Sequence, residues 1–201
     1  AFRKLAKKYH PDHREAAYRS IKFGPNAGDQ TVRELASILE GESPIPADLP
    51  LTPDHSVDVL VVGGGGAGCA AALHAHAEGA NVLLATKLRL VDSNSVMAQG
   101  GMQIAVAPDD SPVQHFLDTL KGGHMKNDHA LLKVMVEEGP TIAKWLIELG
   151  VLFDRDADGN LHVKKGGGSS KERLLTCSDY TGLEIMRVLK DEVLNQKIPL
   201  L

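Results

Sequence analysis

Residues 63–68 read Gly-Gly-Gly-Gly-Ala-Gly, which meets a G-x-G-x-x-G spacing at Gly63, Gly65 and Gly68. Glycines at those intervals suit a dinucleotide. The first permits a tight turn, the second lets the main chain approach a diphosphate, and the third lets a helix pack close to a strand. The N–H groups at the helix opening, around Gly66 and Ala67, then face the anion with the helix dipole behind them. Gly-rich turns without a ligand also exist, so the spacing alone is weak. Its setting strengthens it. Val57–Val62 ahead of it is a short β-branched run suited to a parallel strand buried on both faces, and an Ala-rich helix follows to about Glu78, closed by Gly79. Residues 81–86, Asn-Val-Leu-Leu-Ala-Thr, then read as the second strand of a β-α-β unit.

The acidic residue expected about 20 positions further on, for the ribose hydroxyls, is missing. Thr86-Lys87 closes the second strand instead, and Lys87 keeps a 2′-phosphate, hence NADP, open as the ligand. Other residues of chemical type carry less. Cys69 follows Gly68 at a helix start, where a thiol pKa can fall, although a small packing residue is the plainer role. His74 and His76 are two apart on a helix, face different ways and share no metal. Asp154, Asp156 and Asp158-Gly159 imitate the start of a calcium loop, but Lys165 stands where the bidentate Glu is needed. No metal site is expected. Gly122-Gly123-His124 and Gly166–Ser170 read as loops, with His124 an outside candidate for a ligand contact.

The elements around these positions are mostly readable. Phe2–Tyr9 forms a short basic helix stopped by Pro11, and a capping box of Thr31 and Glu34 starts a helix through Leu35, Ile38 and Leu39 to Glu40. Pro44, Pro46, Pro50 and Pro53 mark a linker. The domains expected are thus a basic helical extension over 1–42, a Pro-rich linker over 43–56 and an α/β domain from 57 to 201. Asn127 or Asp128 caps a helix to about Glu138, and Pro140 opens another, with Ile142, Trp145, Leu146 and Leu149 inward and Gly150 ending it. Val151–Phe153 and Leu161–Val163 flank Asp158-Gly159 as a hairpin. Thr181 and Glu184 form a second capping box for a helix presenting Leu183, Met186, Leu189 and Val193.

Composition fits a globular α/β chain. Of 201 residues 43% are hydrophobic and 24% charged, which disfavours disorder and coiled coil. The net charge of −4 gives no global field for nucleic acid. Seven basic residues against Asp12 and Glu15 in the first 24 positions make a basic arm on an acidic body. Two cysteines, Cys69 and Cys177, with no CxxC argue against a disulfide scaffold or a thiolate cluster and fit a reducing cytoplasm. The longest apolar run, Val59–Leu73, is broken by glycines and shorter than the roughly 20 residues of a membrane span, so direct membrane insertion is not expected. No signal peptide is visible.

Taken together, Asp58–Val62, Gly63–Gly68, Thr86-Lys87 and Ser93-Asn94-Ser95-Val96-Met97-Ala98-Gln99-Gly100-Gly101 resemble the flavoprotein subunit of succinate dehydrogenase and fumarate reductase, a family that also includes L-aspartate oxidase. Asp118–Gly122, Gly150–Arg155 with Asp158-Gly159, and Asp179-Tyr180-Thr181-Gly182 extend the resemblance in the family's order from about residue 55 to the end. The resemblance implies a Rossmann-like FAD-binding domain, incomplete, and an FAD-dependent oxidoreductase that transfers a hydride between flavin and a dicarboxylate such as fumarate or succinate. It implies electron exchange with an iron–sulfur subunit or quinone, and a cytoplasmic site at the inner face of the membrane through partner subunits.

The FAD contacts it implies are Gly63, Gly65, Gly66, Ala67, Gly68, Thr86, Lys87, Ser93, Asn94, Ser95, Ala98, Gln99, Gly100 and Gly101. Asn94 departs from the pattern, because members with covalent flavin have histidine there. An amide cannot form the histidyl bond, so FAD is expected to be non-covalent, with Asn94 and Ser95 hydrogen-bonding it. The family's capping domain and catalytic residues would lie downstream, so the chain reads as an N-terminal fragment, inactive alone, and no catalytic residue is assigned. Two other readings stand beside this one: an NADP module through Lys87, and a co-chaperone through His10-Pro11-Asp12, which resembles a J-domain loop but lacks the second helix that loop requires.

Overall fold

The computed structural model describes residues 18–41, 49–50 and 52–201, in two units that divide after Asp54. The basic segment 2–9, His10-Pro11-Asp12, and Pro44 and Pro46 lie outside the described residues.

In the first unit, β1 (Tyr18–Ser20) pairs antiparallel with β2 (Gln30–Val32), and α1 (Arg33–Glu40) follows. The expected helical extension therefore includes a hairpin. The Thr31–Glu34 capping box does not form: Val32 is the N-cap and no side chain caps it. Thr31 lies in the ladder opposite Arg19, so strand pairing holds the chain extended one residue past the expected cap. Gly41, at φ 61°, ends the helix and donates to the Ile38 carbonyl. Glu40 closes the unit on itself. Its buried carboxylate accepts from both terminal guanidinium nitrogens of Arg19 and from the Lys22 N–H, and the Arg19 hydrogen bonds above all hold it down to about 2.

The second unit starts with β3 (Val59–Val62), which pairs in parallel with β4 (Val82–Ala85). Parallel neighbours need a crossover, here α2 (Gly66–Ala77). The chain end adds a third parallel segment on the far side of β4. Leu84 donates to the Pro199 carbonyl at 3.0 Å, Leu201 to Leu84 at 3.0 Å and Thr86 to Leu201 at 2.7 Å. β4, flanked on both sides, is buried through Val82, Leu83 and Leu84, whereas β3 pairs on one side only among the described residues and leaves Leu60 57% and Val62 80% exposed on one face. Burial on both faces, expected for β3, thus holds for β4 alone.

A 3-10 turn (Asn94–Met97) leads to β5 (Met102–Gln103) and then α3 (Pro112–Gly122). Ser111 caps α3 by accepting the Gln114 N–H, and Pro112 occupies the first turn, where its missing N–H costs nothing. α4 runs unbroken from His129 to Leu149, capped by Asp128 and ended by Gly150 at φ 107°. The expected division at Pro140 does not occur. Leu132, Val136, Ala143 and Leu146 bury one continuous stripe, and that burial offsets the roughly 3 kcal/mol an internal proline costs.

The last strands are β6 (Val163–Lys165) and β7 (Glu172–Leu175), in an antiparallel sheet of order β5-β7-β6. The expected 151–153/161–163 hairpin is replaced by this pairing. Val151 and Phe153 are buried in the core, and only an isolated Arg155–Leu161 bridge survives. The turn itself forms, with Asp156 Oδ1 accepting the N–H groups of Asp158 and Asn160. No calcium geometry is needed to explain it. α5 (Thr181–Asn195) completes the unit, its buried Met186, Leu189 and Val193 packing with Cys69, Ala72, Leu84 and Leu175 in one core. Its capping box is also absent. Tyr180 is the N-cap residue, Thr181 Oγ1 accepts the Cys177 N–H, and Glu184 accepts the Leu152 N–H and pairs with Arg187.

Candidate functional site

The glycine run leaves β3 through Gly63, whose φ of 120° lies where only glycine is at ease and whose N–H continues the ladder to Ala85 at 2.8 Å. Gly65 is the N-cap of α2 in an extended conformation. At Gly68 a Cβ would overlap the Gly63 carbonyl, so the third glycine is what lets the helix pass so near the turn. A Cβ on Gly64 would come within 2.9 Å of Thr86 Oγ1, which places the end of β4 against the loop.

The segment after β4 returns to this loop. Ser95 Oγ accepts the Gly66 N–H at 3.1 Å, at the α2 N-terminus. Beside it, Ser93 Oγ is buried with no hydrogen-bond partner. A helix N-terminus whose opening N–H meets only a neutral hydroxyl, a run of glycines and an unsatisfied buried hydroxyl fit a diphosphate ligand that would bond to these groups. Gly101, at φ 100°, lies so close to β7 that a Cβ would overlap the Leu175 carbonyl. A cavity of about 230 Å³ connects these pieces, bounded by Gly66, Ser95, Ala98, Gly101, Thr181 and Gly182.

Of the positions expected from sequence, Gly63, Gly65, Gly66, Gly68, Thr86, Ser93 and Ser95 therefore converge, and Ala98, Gln99 and Gly101 adjoin them through α5 and β7. Ala67, Lys87, Asn94 and Gly100 are exposed, and among the described residues no hydrogen bond is made by the Lys87 or Asn94 side chain. His124 is also exposed, with its backbone at φ 52°. The Gly166–Ser170 loop is tied to Gln103 by Ser169 and to Asp118 by Ser170. His74 stacks on Trp145, ring centroids 4.8 Å apart.

Cys69 takes the packing role that was the plainer sequence reading, and its thiol pKa does not fall. Its side chain is fully buried, its Sγ lies 3.8 Å from the Gly64 carbonyl, and burial pushes the thiol up to about 11. Desolvation outweighs the helix end.

Sequence reasoning missed two supports. One is α3, although Ser111-Pro112 is a readable N-cap and first-turn signal. The other is an ionic cluster beneath it. Arg173, completely buried, holds Asp110 bidentately at 2.7 and 2.8 Å and reaches Asp118 at 2.9 Å. Burial opposes ionisation of Asp118, but hydrogen bonds from Ser170 and Gln114 and the Arg173 charge outweigh it and hold the carboxyl at about 2. Burial, then Arg173, pushes neighbouring His115 down. No linear spacing links 110, 118 and 173; only the fold does.

Comparison with known proteins adds a family. Residues 58–201 match the family model described as FAD binding domain. The chain is 38% identical over 148 residues to one subunit of the fumarate reductase (CoM/CoB) of Methanothermobacter marburgensis, covering 72% of this chain and 27% of that protein. It is 37% identical over 163 residues to the chloroplastic L-aspartate oxidase of Arabidopsis thaliana, covering 81% and 25%. The Sdh1 complex of Mycobacterium smegmatis, in its apo form, superposes with a TM-score of 0.68 at 38% identity, over 70% of this chain and 24% of that one. E. coli quinol fumarate reductase gives 0.68 at 31% identity, over 72% and 25%. The chain spans about a quarter of the length of these relatives.

Proposed function

Since the chain belongs to the FAD binding domain family, we propose that it is the FAD-binding part of a fumarate reductase- or succinate dehydrogenase-like oxidoreductase. When bound, FAD supplies two-electron hydride chemistry toward a dicarboxylate such as fumarate or succinate. The chain's own residues bind and orient. The N–H groups of Gly65, Gly66 and Ala67 hold the diphosphate, Ser93 and Ser95 supply hydroxyls to it, and Thr86 and Lys87 close the dinucleotide side. The segment Ala98-Gln99-Gly100-Gly101 flanks the flavin ring, and exposed Asn94 offers an amide to it without a covalent link. Electrons pass on to an iron–sulfur partner or quinone, which would hold the protein at the inner face of a membrane. Among the described residues no helix is long and apolar enough to cross one.

One observation carries this reading: the Gly66 N–H and the unsatisfied Ser93 hydroxyl share one glycine-lined cradle. An L-aspartate oxidase-like activity is the second reading, favoured by the identity to the Arabidopsis enzyme over 81% of this chain.

The test is the visible spectrum of the full-length protein before and after acid precipitation. A yellow protein that releases its flavin into the supernatant supports non-covalent FAD. Flavin remaining in the pellet overturns the non-covalent assignment, and a colourless protein that retains NADP overturns FAD itself. Turnover of fumarate, succinate and L-aspartate by the same protein then separates the two activities.

A further inference from the structure

We propose that Thr181 is a positioning residue for the flavin: with Gly182 it clamps the Ser95–Gln99 segment so that Ser95 stays on the Gly66 N–H. The proposal rests on the FAD reading above. Thr181 is 2% exposed, so its hydroxyl has no water to bond. That hydroxyl accepts the Cys177 N–H at 3.1 Å and donates to the Gln99 carbonyl at 3.4 Å, joining the end of the β7 region to a residue 82 positions before Thr181. The next residue does the same with its backbone, as the Gly182 N–H donates to the Ala98 carbonyl at 2.7 Å.

Two consecutive carbonyls of the flavin-side segment are therefore fixed by the first two residues of α5. The fit is close enough that a Cβ on Gly182 would overlap the Ser95 carbonyl and lie 2.8 Å from that of Ala98. Only glycine allows the helix to come this near. The 3-10 turn is short and has no side-chain cap of its own. Its shape is consequently imposed from α5, and through it the direction of the Ser95 hydroxyl. The N-cap residue, Tyr180, places no side chain on the helix's own N–H groups, and the Thr181 hydroxyl, one position on, faces another segment.

The experiment uses the full-length protein and FAD as the probe. In Thr181→Val the FAD Kd should rise about tenfold, the equivalent of one buried hydrogen bond, while Thr181→Ser should restore it. In the apo protein, amide exchange over residues 95–101 should accelerate in Thr181→Val while that of α2 does not. In a double-mutant cycle the Val substitution should cost much less in a Ser95→Ala background, because the group it orients is gone. Gly182→Ala, which removes no hydrogen-bonding side chain, is the second variant and should also weaken FAD.

Wild-type affinity and wild-type exchange over 95–101 in Thr181→Val would overturn the proposal. So would additive losses in the cycle with exchange rising evenly across the domain, the pattern of a merely structural residue. If the wild-type protein binds no FAD, the FAD reading fails. Local exchange at 95–101 would then still report whether Thr181 orders that segment.

Discussion

The hydroxyl of Ser95 accepts the main-chain N–H of Gly66 at 3.1 Å, across 29 positions of sequence. That N–H opens α2, where the helix's own carbonyls supply no partner. A neutral hydroxyl thus sits where the helix would favour an anion.

Ser95→Ala should weaken FAD by between about threefold and tenfold, the range for one hydrogen bond between neutral groups. The domain's melting temperature should barely change, because the residue is half-buried. Titration of the apo protein with FAD checks this, and unchanged affinity would remove Ser95 from the site.

Gly68→Ala should be much more damaging. The new Cβ meets the Gly63 backbone carbonyl, which cannot rotate aside as a side chain could. A cost of at least about 2 kcal/mol is expected from such overpacking. Loss of bound flavin should accompany it, read by thermal melting together with the flavin absorbance of the purified protein.

The buried Arg173–Asp110 pair is bidentate, and neither side chain is exposed. Removing Asp110 takes away both bidentate bonds and leaves the buried guanidinium with Asp118 as its counter-charge. Asp110→Ala should therefore destabilise by about 3–5 kcal/mol in denaturant unfolding. Replacing both residues with apolar ones of similar volume should recover much of the loss.

Acid should destabilise the chain in two stages. Burial and Arg173 lower the His115 pKa, so below its ordinary 6.5 the unfolded chain takes up a proton the folded one resists, and stability begins to fall. Asp118 and Asp154 drop from 3.8 to about 2 and Glu40 from 4.5 to about 2, the Asp154 shift due first to its Thr176 hydrogen bond. Their contributions are complete above those ordinary values and vanish as the pH falls toward 2. Melting temperatures measured at pH 7, 5 and 3 should decrease in that order, most steeply in the final interval. A flat profile would contradict the assignment.

Neither cysteine should react in the folded state. Burial raises both thiols to about 11, so little thiolate exists at pH 8. Iodoacetamide should label Cys69 and Cys177 only after unfolding, which peptide mass spectrometry can follow.

Local rules carried the dinucleotide loop far. Gly63, Gly65 and Gly68 were legible because each answers a steric demand of the backbone itself, and α2 between β3 and β4 followed from adjacent residues. The same rules misplaced elements whose ends are settled by distant partners. Thr31 looked like a cap but lies in a ladder with Arg19, Pro140 looked like a start but lies inside α4, and Val151–Phe153 looked like a hairpin strand but instead sends Val151 and Phe153 into the core.

The sequence by itself determined that a β-α-β unit opens on a phosphate-sized turn, since that turn is made of contiguous residues whose missing side chains define it. Tertiary structure alone decided what faces the turn. Ser93 and Ser95 reach it from beyond β4, Thr181 and Gly182 bond from α5 to Gln99 and Ala98 of the same segment, and Arg173 joins Asp110 to Asp118 underneath α3. These meetings bridge tens of residues and depend on how helices and sheet pack. Packing is a property of the whole core, so no local spacing records it.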